Sequence, residues 1–231
     1  MALINSLITI SSILIVCFLS TISYSQSNDS EDVDINLENP SAPQTTLSSG
    51  HGCLDLSVGM SIPLGNGSDL LSKGVTFSII PNISITENAF VGIIVQYDNW
   101  SVDQDGVLNY LETTLGPKPD STPFSASGAT SYMYLAPTVR IRSNNRIGPI
   151  VYGGFSLGYY FGDATLHTKI GATITNSDTN VSYPGFSFYG GFLIPVNTSF
   201  GISLCANYNV IISQPENAMY LDPKLCMIFI F

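Results

Sequence analysis

The chain has 231 residues, of which 10% are charged and 45% are hydrophobic. Because an ordinary soluble domain is about 25% charged, a chain this short with so little charge is expected to turn much of its surface toward something other than water. Acidic residues outnumber basic ones by 17 to 7 and no basic patch occurs, which argues against a nucleic acid partner.

The first 25 residues have the pattern of a secretory signal peptide. Residues 7–18 form a short apolar core, and Ser23 and Ser25 occupy the small-residue positions before a cut at Gln26. The preceding stretch MALINS lacks Lys and Arg, so an uncleaved anchor helix is the alternative. The apolar core is short for a membrane span, which favours a signal peptide over residues 1–25.

Residues 26–50 are polar and acidic, with five carboxylates, no Lys or Arg and no hydrophobic periodicity. A segment with so few apolar residues cannot bury enough surface to offset the entropy of ordering it. We therefore predict a disordered tether over residues 26–50.

From Cys53 to the end of the chain, apolar residues alternate with small polar ones at a period of two, which is typical of strands with one polar and one apolar face. Each segment is close to the length of about 9–11 residues that a tilted membrane strand requires. The eight segments are 54–62, 75–85, 91–97, 132–141, 151–161, 186–194, 200–208 and 221–231.

The connections between these segments alternate in length. Short turns are predicted at 86–89, 142–149 and 195–198, and longer links at 63–74, 98–130, 162–182 and 211–219. Short turns on one rim and long loops on the other are typical of barrels in bacterial outer membranes.

The composition of the polar face distinguishes two kinds of barrel. A soluble barrel would show Lys, Glu and Asp on its outer face, but here the polar positions hold mostly Gly, Ser, Thr, Asn and Tyr. These residues suit the interior of an eight-stranded barrel, which is just wide enough for side chains to fill. The apolar rows are therefore predicted to face lipid. Aromatic residues near the strand ends are predicted to form two interfacial girdles: Tyr97, Trp100, Tyr159, Phe161, Tyr183, Tyr208 and Tyr220 at one rim, and Phe90, Phe200, Phe229 and Phe231 at the other.

The sequence resembles the eight-stranded outer-membrane β-barrels of Gram-negative bacteria, of the OmpA/OmpX-like and PorT type. The resemblance is carried by the stretch IPNISITENAFVGIIVQY, by Arg140 near the end of the fourth segment, and by the final stretch KLCMIFIF. It implies an all-β fold: an eight-stranded antiparallel up-and-down transmembrane β-barrel over residues 51–231, in an outer membrane. It also implies that the barrel-assembly machinery recognises as its signal the C-terminal stretch, in which a final Phe is preceded by apolar residues at alternate positions. That signal comprises Leu225, Met227, Phe229 and Phe231.

Four charged residues have the parity of the inward face: Asp55, Arg140, Asp222 and Lys224. Because buried charges must be paired, an ion network in the lumen is expected. A gate that opens a narrow water path and a structural plug are both compatible with such a network. The small interior of eight strands favours the plug.

Cys53, Cys205 and Cys226 share the same inward parity. Cys205 and Cys226 are predicted to lie at similar heights on the last two strands. They could form a cross-strand disulfide or remain a pair of free thiols. Free thiols are favoured, because disulfide geometry is demanding. The ligand spacing of a metal site is absent, so no metal is predicted.

No catalytic residue or cofactor is predicted. The sequence from Gly154 to Gly158 matches G-x-S-x-G around Ser156, but a nucleophile elbow needs a helix after the turn, and here the motif lies inside a strand. His51 and His167, the two histidines, are expected to be solvated loop residues.

The longest connection, 98–130, is acidic, and its stretch VLNYLETTL is predicted to hold a short helical turn. Connections of this length are often functional. The predicted function is a structural or surface-interaction role without catalysis, with membrane lipid around the barrel and an extracellular partner bound through this loop. A narrow channel or transport-associated barrel is the first alternative, and a membrane-embedded lipid-modifying hydrolase is the second.

Overall fold

The computed structural model describes residues 51–116, 123–143, 149–213 and 217–231. The predicted signal peptide (1–25) and tether (26–50) lie outside the described residues. Within these described residues the structure contains eight strands and one α-helix. They are β1 (Gly52–Leu64), β2 (Gly74–Ser84), β3 (Ala89–Ser101), α1 (Gln104–Leu115), β4 (Phe124–Arg142), β5 (Ile150–Ile170), β6 (Thr173–Pro195), β7 (Phe200–Ile211) and β8 (Ala218–Ile230).

The eight strands form one closed barrel in which each strand pairs antiparallel with its neighbours in the chain. The ring closes between β1 and β8, from the pair Cys53↔Ile230 to the pair Leu64↔Met219. Closure leaves no free edge around the body of the barrel, so backbone groups there are paired within the sheet. The prediction of an eight-stranded antiparallel up-and-down barrel is confirmed.

The outer surface of the barrel is apolar. Outward side chains on every strand are large and hydrophobic, and their exposed fractions reach 51% for Phe77, 56% for Leu157 and 63% for Leu204. The alternate residues of the same strands are buried inside, so the predicted orientation of the two faces is confirmed. A contiguous apolar exterior of this size matches a surface that meets lipid rather than water.

Small residues inside the barrel make room for large ones. A Cβ atom added to Gly154 would lie 2.2 Å from Cζ of Tyr189, and one added to Gly185 would lie 2.5 Å from Cε2 of Tyr160. The inward glycines therefore create the space that the tyrosine rings occupy, and the interior is filled by side chains.

Two predicted connections differ from the structure. The predicted link 162–182 is mostly strand, because β5 and β6 continue as a hairpin whose last pair is Ile170↔Thr173. The predicted link 98–130 is shorter than expected, because β3 runs to Ser101 and β4 begins at Phe124. The residues in these stretches pair through their backbones but form no apolar face. The hydrophobic pattern alone therefore did not reveal that the strands continue.

Strands β4, β5 and β6 extend beyond their neighbours as a projecting sheet. Pairing of β6 with β7 ends at Gly185↔Ile211, whereas pairing of β6 with β5 continues to Thr173. The residues of β6 from 173 to 180 are all exposed. We call this part of the three strands the projecting sheet: residues 124–128 of β4, 162–170 of β5 and 173–181 of β6. It rises from the rim that carries the longer connections.

Helix α1 and the link between β1 and β2 are held together at the same rim. The N–H of Asp103 donates to the carbonyl of Leu70 at 2.9 Å, and Leu71 forms an isolated bridge with Val102. Gly106 approaches the link so closely that an added Cβ would lie 1.4 Å from the carbonyl oxygen of Asp69. Among the described residues, no helix has the length and apolar character needed to cross a membrane.

The predicted aromatic girdles are wrong at four positions. Tyr183 has inward parity and packs against the interior cluster that contains Trp100 and Tyr160. Phe90, Trp100 and Tyr220 are buried inside the barrel, with exposed fractions of 3%, 2% and 2%. Position near a strand end suggested a girdle, but parity decides the direction of a strand side chain, and all four have inward parity.

If the apolar exterior faces lipid, a charged residue placed there should lower the stability of the barrel, and one placed on the projecting sheet should not. Leu204→Arg places a cation in the middle of the apolar exterior and is expected to lower the free energy of unfolding by about 2–4 kcal/mol in lipid vesicles. Thr175→Arg on the exposed part of β6 is the matched control and should leave it unchanged. Denaturant titration of both variants in the same vesicles measures the difference, and an equal effect at the two positions would contradict a lipid-facing exterior.

Candidate functional site

One buried ion pair joins opposite parts of the barrel interior. Nη2 of Arg140 on β4 donates to Oδ2 of Asp55 on β1, and both side chains are almost fully buried. The rings of Tyr152 and Tyr189 lie 4.9 Å and 5.7 Å from the guanidinium carbon. The cation is thus held by a carboxylate and by two aromatic faces, which partly replace the water that it loses.

A second buried network is centred on Gln96 of β3. Its Nε2 donates to Oδ2 of Asp98 at 2.8 Å and to Oδ2 of Asp222 at 2.9 Å. Its Oε1 accepts from Nζ of Lys224 at 2.6 Å and from Nδ2 of Asn207 at 3.3 Å. One neutral side chain therefore links two carboxylates to one ammonium group.

The charges of this second network do not balance one to one. Asp98 and Asp222 are both fully buried, and Lys224, whose Nζ lies 3.7 Å from Oδ2 of Asp222, is the cation beside them. Neutral donors supply further contacts, because the hydroxyl of Tyr220 donates to Asp98 at 2.9 Å and Nδ2 of Asn209 donates to Asp222 at 2.7 Å. Such donors take the place of water around buried carboxylates, so the network is costly to disturb.

The four charged residues singled out from the sequence fall into two separate networks. Asp55 pairs with Arg140, and Asp222 lies beside Lys224. Two members of the second network were not predicted from the sequence: Asp98, which was placed in the acidic loop, and Gln96, which carries no charge. Their inward parity, shared with Ile94, was the signal that could have found both.

Apolar and aromatic clusters cover the two networks at both ends of the barrel. Toward the rim of the short turns lies a cluster that includes Phe90, Tyr152 and Leu193. Toward the other rim lies a cluster that includes Trp100 and Tyr134, whose ring stacks on that of Tyr160 at 4.2 Å between centroids. The charged layers are thus enclosed between two hydrophobic layers, an arrangement that can hold the barrel rigid and exclude water from it.

Two of the three inward cysteines meet. The sulfur atoms of Cys205 and Cys226 lie 2.8 Å apart, and both residues are free cysteines in the structure. Cys53 is also free and is buried in the cluster near the rim of the short turns.

The G-x-S-x-G stretch has a packing explanation. Ser156 is buried on β5, and its hydroxyl lies 3.0 Å from the hydroxyl of Tyr134. His167 lies in the projecting sheet, where its Nδ1 is 2.8 Å from Oδ1 of Asn176, and His51 precedes β1 at the opposite rim. Within the described residues, no group of three or more His, Cys, Asp or Glu side chains is arranged to hold a metal ion.

The terminal residues implied as an assembly signal all point outward on the last strand. Leu225, Met227, Phe229 and Phe231 have exposed fractions between 37% and 73%. They alternate with Lys224, which lies inside, so this stretch has one lipid-facing and one interior row.

The ion pair between Asp55 and Arg140 predicts a large, non-additive cost on mutation. Arg140→Met leaves the Asp55 carboxylate buried without its cation and is expected to lower the free energy of unfolding by about 3–5 kcal/mol. The double variant Asp55→Leu/Arg140→Met removes both charges and should be closer to the wild type than Arg140→Met alone. Denaturant titration of the barrel in vesicles measures both, and additive losses would contradict a coupled pair.

No protein-family model and no curated protein sequence matches the chain. Similar solved structures include Neisserial surface protein A, at 14% identity and a TM-score of 0.46, over 79% of this chain and 98% of that one. The attachment invasion locus protein Ail of Yersinia pestis, in complex with the heparin analogue sucrose octasulfate, is similar at 14% identity and a TM-score of 0.49, over 79% and 99% of the two chains. The outer membrane protein OprG of Pseudomonas aeruginosa is similar at 10% identity and a TM-score of 0.43, over 82% and 97%.

These likenesses concern the fold alone, and the fold of this chain follows from its own strand pairings. The chain forms a closed eight-strand antiparallel barrel, which is the fold that the sequence resemblance implied.

Proposed function

We propose that the protein is an outer-membrane barrel of a Gram-negative bacterium that acts through contacts made outside the membrane, without catalysis. The apolar exterior supports the membrane location, because it would be costly in water and is stabilised by acyl chains. The barrel then serves as the anchor, and the rim with the longer connections faces the outside of the cell.

The projecting sheet is the observation that carries this proposal. Within the part of the chain that the structure describes, β6 between residues 173 and 183 pairs with β5 alone, so its other side presents backbone N–H and C=O groups along an open edge. Proteins commonly protect such edges with Lys, Pro or a bulge. Residues 173–183 of β6 contain no Lys or Pro. An open, polar edge of this kind suits an extended segment of a partner, which would add a strand through main-chain hydrogen bonds.

The predicted loop 98–130 contributes to the same surface. Its end forms the start of β4, which pairs with β5 from Phe124↔Ile170 down through the projecting sheet, and α1 precedes it. The N-terminus of α1 is capped by Asp103, whose side chain accepts from the N–H of Gly106 at 3.0 Å. The partner of this loop is thus expected to meet helix α1 and the first residues of β4.

The filled interior favours a plug over the channel alternative. Tyr134, Tyr160 and Gln96 are fully buried between the two ends of the barrel, and they contact one another or the charged networks. A water path would require these groups to move apart and leave buried charges without partners.

The outward row of β8 is proposed to be the signal read by the barrel-assembly machinery. Leu225, Met227 and Phe229 face away from the interior and remain accessible until lipid surrounds the barrel. Their role in assembly therefore does not conflict with packing inside.

The orientation of the projecting sheet can be tested by labelling. Asn176→Cys places a thiol on the exposed part of β6, and a membrane-impermeant maleimide added to intact cells is expected to label it fully. Glu87→Cys, in the short turn between β2 and β3, is the matched control and should be labelled only after the outer membrane is broken. The reverse pattern would overturn the orientation.

The role of the projecting sheet can be tested by shortening it along the observed register. Because Ala164 pairs with Thr179, residues 165–178 can be replaced by an Asn-Gly turn that preserves the pairing below. Such a chain should still give a heat-modifiable barrel in the outer membrane, but cross-linking to an outside partner from a photoreactive residue at position 181 should be lost. A shortened chain that cross-links to the same partner as well as the full chain would contradict a role for this sheet.

The plug can be tested by conductance. The wild-type protein is expected to produce no discrete openings in a planar bilayer, while a water-filled porin in the same bilayer serves as the positive control. Regular openings would favour the channel alternative.

A further inference from the structure

Two of the three thiols in the described part of the barrel, those of Cys205 and Cys226, lie close enough to react with each other. Cys205 pairs in register with Lys224, and Cys226 pairs with Ser203, so the cysteines are diagonal neighbours on the inward face of the β7–β8 hairpin. Their sulfur atoms are 2.8 Å apart, whereas unbonded carbon atoms pack at about 3.5–4.0 Å. A disulfide bond is about 2.0 Å long, so the two sulfur atoms would have to approach each other by about a further 0.8 Å.

The neighbouring strand supports this placement. Gly191 of β6 pairs with Cys205, and a Cβ added to Gly191 would lie 2.7 Å from the Cβ of Cys205. A residue larger than glycine would push Cys205 out of its position. Gly191 therefore helps to direct the Cys205 side chain toward β8.

The third cysteine is too far along the barrel to compete. Cys226 pairs with Ser57 of β1, whereas Cys53 pairs with Ile230. Four residues of strand separate Cys53 from Ser57, which corresponds to about 13 Å. In the folded barrel, Cys53 can bridge neither of the other two thiols.

The closed barrel limits when a reagent can reach the pair. Cys226 is 4% exposed and Cys205 is half-buried, and the aromatic clusters lie above and below their layer. Before β1 pairs with β8, that edge of β8 has no neighbouring strand, and the inward face that carries both cysteines is not yet enclosed by the ring. An oxidant or a reductant can therefore reach the two thiols before the ring closes between β1 and β8, but not easily afterwards.

We propose that Cys205 and Cys226 form a disulfide in the β7–β8 hairpin before the barrel closes, and that closure then shields the bond from reductants. In cells this rests on the proposed outer-membrane location, because the chain would cross an oxidising compartment on its way there. The bond tethers the last two strands while the rest of the barrel assembles.

The oxidant is a disulfide carried by another protein or by a small thiol compound. The thiolate of one cysteine attacks that disulfide, forms a mixed disulfide and releases one thiol of the oxidant. The thiolate of the other cysteine then attacks the mixed disulfide at the sulfur of the first, forms the bridge and releases the second thiol. Two cysteine thiols lose two protons and two electrons, and the oxidant disulfide is reduced to two thiols.

The bridge can be tested by counting thiols in the full chain isolated from membranes. The chain is unfolded in denaturant and labelled with a maleimide polymer, with and without prior reduction, and the number of labels is expected to rise by two after reduction. The rise should be absent in Cys205→Ser and in Cys226→Ser and should persist in Cys53→Ser, the matched control. Equal label counts with and without reduction in the wild type would overturn the proposal.

The order of events is tested in a second arm that does not depend on cellular location. The reduced chain is refolded into phosphatidylcholine vesicles, and oxidised glutathione is added either before or after folding. Oxidation before folding should give the bridge, and oxidation after folding should be at least tenfold slower. A reductant should likewise open the bridge at least tenfold more slowly in the folded barrel than in denaturant, and equal rates in either comparison would overturn sealing by closure.

Discussion

Closure of the sheet between β1 and β8 is the constraint on which the rest of the structure depends. In hydrocarbon, each unpaired backbone group costs several kcal/mol, and the pairing of the first strand with the last removes the free edges from the body of the barrel. Because the strands run up and down in chain order, alternate connections lie at opposite rims, and the even number of strands brings both ends of the barrel to the rim of the short turns. The molecule therefore has one simple rim and one elaborate rim.

The interior reverses the usual distribution of residues in a soluble protein. Its centre holds the ion pair of Arg140 with Asp55 and the network around Gln96, and hydrophobic layers cover both. Because membrane lipid is as apolar as any core, burial of hydrophobic residues alone would not tell the chain which face to turn inward. Polar groups that can find partners only in the lumen supply that information, which explains why the barrel retains buried charges that add little to stability by themselves.

Much of this architecture could be read from the alternation of residues. The strand number, the direction of the two faces and the inward parity of Asp55, Arg140, Asp222 and Lys224 all follow from a period of two. The partner of each charge could not be predicted, since it depends on which strands face one another across the lumen. The projecting sheet was also missed, because β6 between residues 173 and 180 is polar on both sides and pairs through its backbone, which leaves no hydrophobic pattern to detect. Trp100 and Tyr220 were misplaced because amphipathic aromatic residues suit an interface and a filled lumen equally well.

The contact between Gly106 and the carbonyl of Asp69 has an evolutionary consequence. Two segments that touch without room for a side chain can change only in concert, so few substitutions are tolerated there. The tip of the projecting sheet, where residues 172–180 are all exposed, carries no such restriction. Sequence drift between strains should therefore concentrate at that tip and leave the junction of helix and link nearly constant.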